Sequence, residues 1–238
     1  SGIDTTTTTA AFDGDGTFTG TLDGAVVTVG DGFTMTAAAN VVAGETINKV
    51  NTGALAVTIG TADAAVDLTS IGGTAISSVT VTDDVLFTGT LHGTVQTDVD
   101  AGFTLTTTAA KATGKTIADG SGAATTAITA LDDTAAADLS NITTTTVTAA
   151  ATLGDGETVS FTGNLGSAAV ALTGTNGVDD IFNVDGATMG TATFTVDANA
   201  ILQGTAAKLT GVTATGLGTT AITALDDTAA ADLSNITT

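Results

Sequence analysis

The stretch Thr125–Thr144 reads TTAITALDDTAAADLSNITT, and the same twenty letters stand again, unchanged, at Thr219–Thr238. A catalytic or ligand site needs its groups once. An architecture that stacks like on like needs them repeatedly, so the duplication points to structural repeat material. The end of the first copy runs on as DLSNITTTTVTAA (Asp138–Ala150) and extends the pattern. Ser140–Ala150 matches the opening SGIDTTTTTAA, Ser1–Ala11, and a more worn relative is VDLTSIGGTAISSVTV at Val66–Val81.

Anchoring on Ser1, Thr69, Ser140 and Ser234 divides the chain into units 1–68, 69–139 and 140–233, with 234–238 beginning another. Further landmarks keep their order within the units. FTGTLDG at Phe18 returns as FTGTLHG at Phe87 and FTGNLG at Phe161; GFTMT at Gly32 returns as GFTLT at Gly102 and loosely as TFTVD at Thr193; AGETI at Ala43 answers TGKTI at Thr113. Six of the eight Phe fall at these landmarks, which marks them as core residues. The chain starts and stops within this pattern, as a piece of a longer protein would.

The units span 68, 71 and 94 residues, so the third exceeds the second by 23, about a third of a unit. A solenoid accepts one added coil without disturbing its neighbours. The spacing therefore predicts an all-β fold, a parallel β-solenoid (β-helix) of about ten coils of about 23 residues. The inserted coil would lie at about 167–190, around GTNGVDDIFNVDGATMG. The alternative is a tandem of small β-sandwiches with the extra residues as a hairpin. A short helical turn is expected at the unit boundary, in DDTAAADLSNI, where paired Asp precede an Ala run.

Composition agrees with strands. The chain is 42% hydrophobic but 3% aromatic, with no Pro, Trp, Tyr or Cys, so its apolar mass is Ala, Val, Ile and Leu among many Thr. β-branched residues suit a pleated surface, and a Pro-free chain can commit its backbone donors to ladders. The absence of Cys excludes disulfides and thiol chemistry. No stretch is long and apolar enough to cross a bilayer, and no signal-peptide pattern opens the chain. Four Lys and no Arg face 23 Asp and two Glu, a formal charge of −21, which repels nucleic acid and anionic membrane surfaces.

Catalytic signatures are missing. His92 stands in TLHG where the first unit has Asp23, which marks a turn residue. No Ser sits in a nucleophile elbow, and no Gly-rich loop carries a phosphate-binding Lys. The pair Asp132–Asp133 recurs at Asp226–Asp227, and copied carboxylates do not provide the two unlike environments that acid–base chemistry uses. No enzyme activity is expected, and neither is a small-molecule ligand.

Acidic corners precede each Phe-Thr-Gly landmark: Asp13 and Asp15, Asp83 and Asp84, Asp155 and Glu157. Clustered carboxylates repel one another unless water or a cation separates them, so these six are candidate calcium ligands. The plainer role for each is a solvated turn residue. Thr runs, such as Thr5–Thr9, could form ladders on stacked coils; an ice-binding face is one use, ordinary solvent-facing strand the other.

GTNGVDDIF, Gly174–Phe182, resembles the calcium nonapeptide of the repeats-in-toxin family, with Thr175 in place of its second Gly. That resemblance implies calcium held by Asp179, with Asp180 beside it, and by the backbone of Asn176 and Gly177. More broadly, units reading FTGxLG, GKTI, TAITAL and AADLSNITTTTVTAA resemble the β-strand repeats of large secreted bacterial surface proteins, surface-layer proteins and giant adhesins. The resemblance implies an extracellular or cell-surface location and a structural role in a coat, matrix or filament, with copies of the chain itself as partners and calcium as stabiliser. The alternative is a binding module of an adhesin or ice-binding protein.

Overall fold

Strands form where apolar and small polar residues alternate. In AVALTG, Ala169–Gly174, the residues Val170, Leu172 and Gly174 are buried while Ala169, Ala171 and Thr173 face solvent. Such a period of two buries one face of a strand. The computed structural model describes residues 9–175, 179–225 and 230–238, in two units. One unit is Ser1–Leu105 with Thr116–Ala124, the other Thr106–Lys115 with Thr125–Thr238. The chain is a parallel β-solenoid of about 11 turns with about 20 residues per turn.

In the first unit one sheet runs Thr9–Phe12, Val26–Val29, Thr46–Lys49, Gly72–Gly73. A second runs Gly16–Phe18, Thr34–Ala38, Ala54–Ile59, Ile76–Val81, Thr97–Val99, Ile117–Asp119. In the second unit one sheet runs Thr125–Thr129, Thr146–Leu153, Ala169–Gly174, Thr193–Val196, Thr213–Gly216, Ile236–Thr237. The other runs Thr158–Ser160, Ile181–Asn183, Ile201–Thr205, Thr219–Thr223. Each strand thus pairs with one a whole turn away, and all these pairings are parallel. Sandwiches are built from antiparallel sheets, so the tandem-sandwich alternative falls.

Inside, like columns stack. Ala149, Val170, Phe194 and Ala214 form one ladder, and Val159, Phe182 and Leu202 another, all buried. Large residues sit beside small ones, which lets adjacent layers interdigitate at close spacing. Phe87, Phe161, Phe182 and Phe194 are fully buried, and the Phe161 and Phe182 rings stack at 5.5 Å. The landmark residues Phe18, Phe33 and Phe103 are half-buried.

Two expectations need correction. Turns average about 20 residues, not 23; Val26 lies beside Thr46 and Thr193 beside Thr213, although the turn from Ala169 to Thr193 is longer. Units of 68 and 71 residues are therefore about three and a half turns, not three. The duplicated stretch makes this visible: Thr125–Thr129 belongs to one sheet of the second unit, and its copy Thr219–Thr223 to the other. The helical turns lie only partly where expected: a 3-10 turn, Leu68–Ser70, capped by Asp67, stands at the boundary of the first two units. DDTAAADLSNI forms non-helical turns, and the Asp132 carboxylate is taken by Thr152 N on the next turn instead of capping a helix. Single α-turns occur at Ala39–Val42, Ala109–Ala112 and Ala206–Leu209, where a small-residue run continues from a strand.

In two of its three copies the Phe-Thr-Gly landmark has a backbone cause, whereas a Cβ on Gly20 would first meet the ring of Phe18. A Cβ on Gly89 would lie 1.9 Å from the carbonyl oxygen of Val66, and one on Gly163 2.0 Å from that of Ala137. Both glycines also donate their N–H groups to the preceding turn, to Ala64 O and Ala135 O. Close approach of two backbones leaves no room for a side chain.

Candidate functional site: the acidic corners

Each corner must satisfy backbone N–H groups that leave the sheet ladder, and the Asp side chain is short enough to do so. Asp15 accepts from Thr34 N at 2.7 Å and Asp84 from Thr104 N at 2.7 Å, 19 and 20 residues on. Asp132 accepts from Thr152 N at 2.9 Å and Asp185 from Thr205 N at 2.6 Å. One carboxylate oxygen per corner thus binds the backbone of the next turn. Asp31 does this with both groups of Thr52, the N–H at 3.1 Å and the hydroxyl at 2.6 Å, while Asn51 Nδ2 donates to its other oxygen. The Thr52 hydroxyl, then the Thr52 N–H and the Asn51 amide, hold the Asp31 carboxyl below its ordinary range.

A second device recurs in the D-L-S/T landmark. Asp67, Asp138 and Asp232 each accept from the N–H and the hydroxyl of the residue two positions on, Thr69, Ser140 and Ser234. The Ser234 hydroxyl and N–H likewise hold the Asp232 carboxyl low. His92 also behaves as a turn residue, its Nδ1 accepting from Thr94 N and Val95 N.

Of the candidate calcium ligands, Asp13, Asp15, Asp83, Asp84, Asp155, Glu157 and Asp179 are exposed. Asp83 accepts from Asp84 N at 2.9 Å and Glu157 from Gly154 N at 2.6 Å, so both serve their own turns. Asp13 leans over the next turn, its Oδ1 lying 2.7 Å from where a Cβ on Gly30 would stand. Asn176 and Gly177 lie outside the described residues. Among the described residues no three His, Cys, Asp or Glu side chains converge as a metal site would require. Asp15, Asp83, Asp84 and Glu157 are arranged as acceptors for neighbouring backbone.

Asp180 is the exception in burial. It is fully buried; its Oδ1 accepts from Gly156 N at 2.8 Å, 24 residues back, and its Oδ2 from Thr175 N at 2.9 Å. Gly174, read from the sequence as part of a calcium motif, has a packing reason: a Cβ there would lie 2.1 Å from Asn199 O and 2.9 Å from Asp180 Oδ2. Asp63 has the same geometry, 3% exposed, with Oδ1 on Asn40 N at 2.8 Å and Oδ2 on Gly60 N at 2.9 Å. Sequence reading missed Asp63. The available signal was its place three residues after Gly60, in a corner with no other acid.

Beside the corners lie two surface features. Outward-facing Thr193 and Thr195 lie in register with Thr213 and Thr215, and one turn earlier the same columns carry Ala169 and Ala171. A shallow groove is lined by Ser140, Thr143, Asn164, Ser167, Thr188 and Thr191, none of them titratable. Among the described residues no helix is long and apolar enough to cross a membrane. Comparison with family models, curated proteins and solved structures finds no match to this chain.

Proposed function

We propose that the chain is a structural segment of an extracellular bacterial coat, matrix or filament, whose work is mechanical and whose partners are copies of itself. The observation that carries this reading is the use of acidic side chains as turn-to-turn staples: Asp15, Asp31, Asp84, Asp132 and Asp185 each bind backbone about one turn on. Charge spent in this way stiffens a stack. Stacked repeats draw their stability from such neighbour contacts. The resemblance of its landmarks to repeats of surface-layer proteins and giant adhesins supports the location.

A binding module with one specialised face has less support. Its best surface is the Thr193, Thr195, Thr213, Thr215 array, two turns wide before Ala replaces Thr.

The test is the size distribution of the purified chain, by light scattering and negative-stain microscopy, in millimolar calcium and in chelator. Ordered filaments or sheets are expected. A monodisperse monomer at every concentration, with or without calcium, would overturn the self-association. Assembly seen in calcium and lost in chelator would return the cation to the corners.

A further inference from the structure

Within the second unit, the sheet that runs from Thr125–Thr129 to Ile236–Thr237 turns one face inward and the other to solvent. Every outward position on its six strands is Thr or Ala, as at Ala169, Ala171 and Thr173 on one strand and Thr193 and Thr195 on the next. The face carries no charge, in a chain whose formal net charge is −21. Other sheets differ: Asp98 lies on a strand of the first unit, and on the smaller sheet of the second Asn183 Nδ2 donates to Gln203 Oε1 at 2.8 Å. The uniformity is not inherited from copying, since only the first and last of the six strands fall in the duplicated stretch. The four strands between them are paired on both edges, so the face is a side of the stack and not one of its ends.

The strands are parallel, so their C-terminal ends share one rim. Acids collect there: Asp132 follows the first strand, Asp155 and Glu157 the second and Asp197 the fourth. At the opposite rim the strands are entered through Thr145, Ser167, Thr191 and Gly211, without charge.

We propose that this face packs against the same face of a second copy. The proposal rests on the self-associating reading and names the surface that carries it. Two polyanions approach most readily where neither presents charge, and side chains no larger than Thr let two sheets pack at about 10 Å or closer. Six strands about 4.8 Å apart make a face roughly 29 Å by 16 Å. Two copies would bury roughly 1,000 Å² between them, at the threshold for a specific contact. The acidic rim fixes the orientation. A two-fold axis along the strands would set the two acidic rims together. An axis along the stack lays each acidic rim over the uncharged rim of the other copy, so both stacks run the same way and each row faces its own counterpart.

The test measures association by light scattering across protein concentration. Ala171→Glu and Ala171→Lys change an exposed position, so the unfolding midpoint should hold. Each alone should raise the concentration needed for association at least about tenfold, and an equal mixture of the two should restore it. Thr158→Glu, exposed on the smaller sheet, should have less than about a twofold effect. For the orientation, the cysteine-free chain allows single cysteines. Thr148→Cys and Thr213→Cys chains, mixed and treated with a short bis-maleimide, should join like to like; an excess of mixed pairs would overturn the arrangement. Association unaffected by Ala171→Glu, or weakened as much by Thr158→Glu, would overturn the face while the self-associating reading stood. A chain that stays monomeric at all concentrations would overturn both.

Discussion

Removing the Asp180 carboxylate tests whether buried acids hold adjacent turns together. In Asp180→Ala, Gly156 N–H and Thr175 N–H lose acceptors at 2.8 and 2.9 Å. A hydrogen bond to a charged acceptor contributes about 1.5–3 kcal/mol net, so two give about 3–6 kcal/mol. Gly156 and Thr175 are themselves exposed, and water replaces part of what is lost. The expected loss is therefore about 2–4 kcal/mol. Asp180→Asn keeps one acceptor and turns an amide N–H toward the other donor, so about half of that loss is expected. Urea unfolding monitored by circular dichroism gives the global value. Because a solenoid can open locally, hydrogen exchange at Gly156 and Thr175 gives the site-specific one. The neighbouring Asp179→Ala, at an exposed position, is the control. If Asp180→Ala lost no more than about 0.5 kcal/mol beyond Asp179→Ala, the stapling argument would be wrong.

Particular backbone positions give further tests. Gly163→Ala forces a methyl group against Ala137 O at 2.0 Å and should lower stability by about 2–4 kcal/mol, whereas Gly93→Ala, with open space around it, should be near neutral in the same urea assay. Ala130 adopts φ +52°, a region where a Cβ costs about 1–2 kcal/mol. Ala130→Gly should therefore hold or raise the unfolding midpoint, and Ala127→Gly, within the strand Thr125–Thr129, should lower it by about 0.5–1 kcal/mol; equal losses would contradict the turn geometry. The lowered carboxyls of Asp31 and Asp232 contribute stability that is present above the ordinary carboxylate value near about 4 and is lost as pH falls through their depressed native values. An acid titration should show stability declining below about pH 4, and Asp31→Asn should flatten part of that decline.

The fold was legible because Thr and small apolar residues alternate with period two and because the landmarks repeat in order. The turn length was not, since 68 and 71 lie close to three times 23 although each unit is about three and a half turns of about 20 residues, and no residue marks where one turn ends. The corners were legible as acidic turns, but a run such as TDDVLF gives no clue that Asp84 reaches Thr104 on the next turn while Asp83 serves its own. That difference depends on which backbone N–H lies across the stack, a contact made 20 residues away. Asp180 illustrates the same limit: an acid inside a calcium-like motif turned out to be buried on two backbone donors.

A repeat that does not fill a whole number of turns has a consequence for function. Were it integral, each copy would fall on the same sheet, and its side chains would line up as one stripe of uniform chemistry along the stack. Such a stripe suits a binding face. Here the identical strands Thr125–Thr129 and Thr219–Thr223 fall on different sheets of one unit, so copied surface is spread around the stack instead of collected. Under the structural role proposed above, the copies serve the turns above and below them wherever on the stack they fall. For Thr125–Thr144 that is the burial of Ile128, Leu131 and Ile142 and the seat given to the turn beginning at Thr146. The offset fits the proposed structural role better than a single binding face.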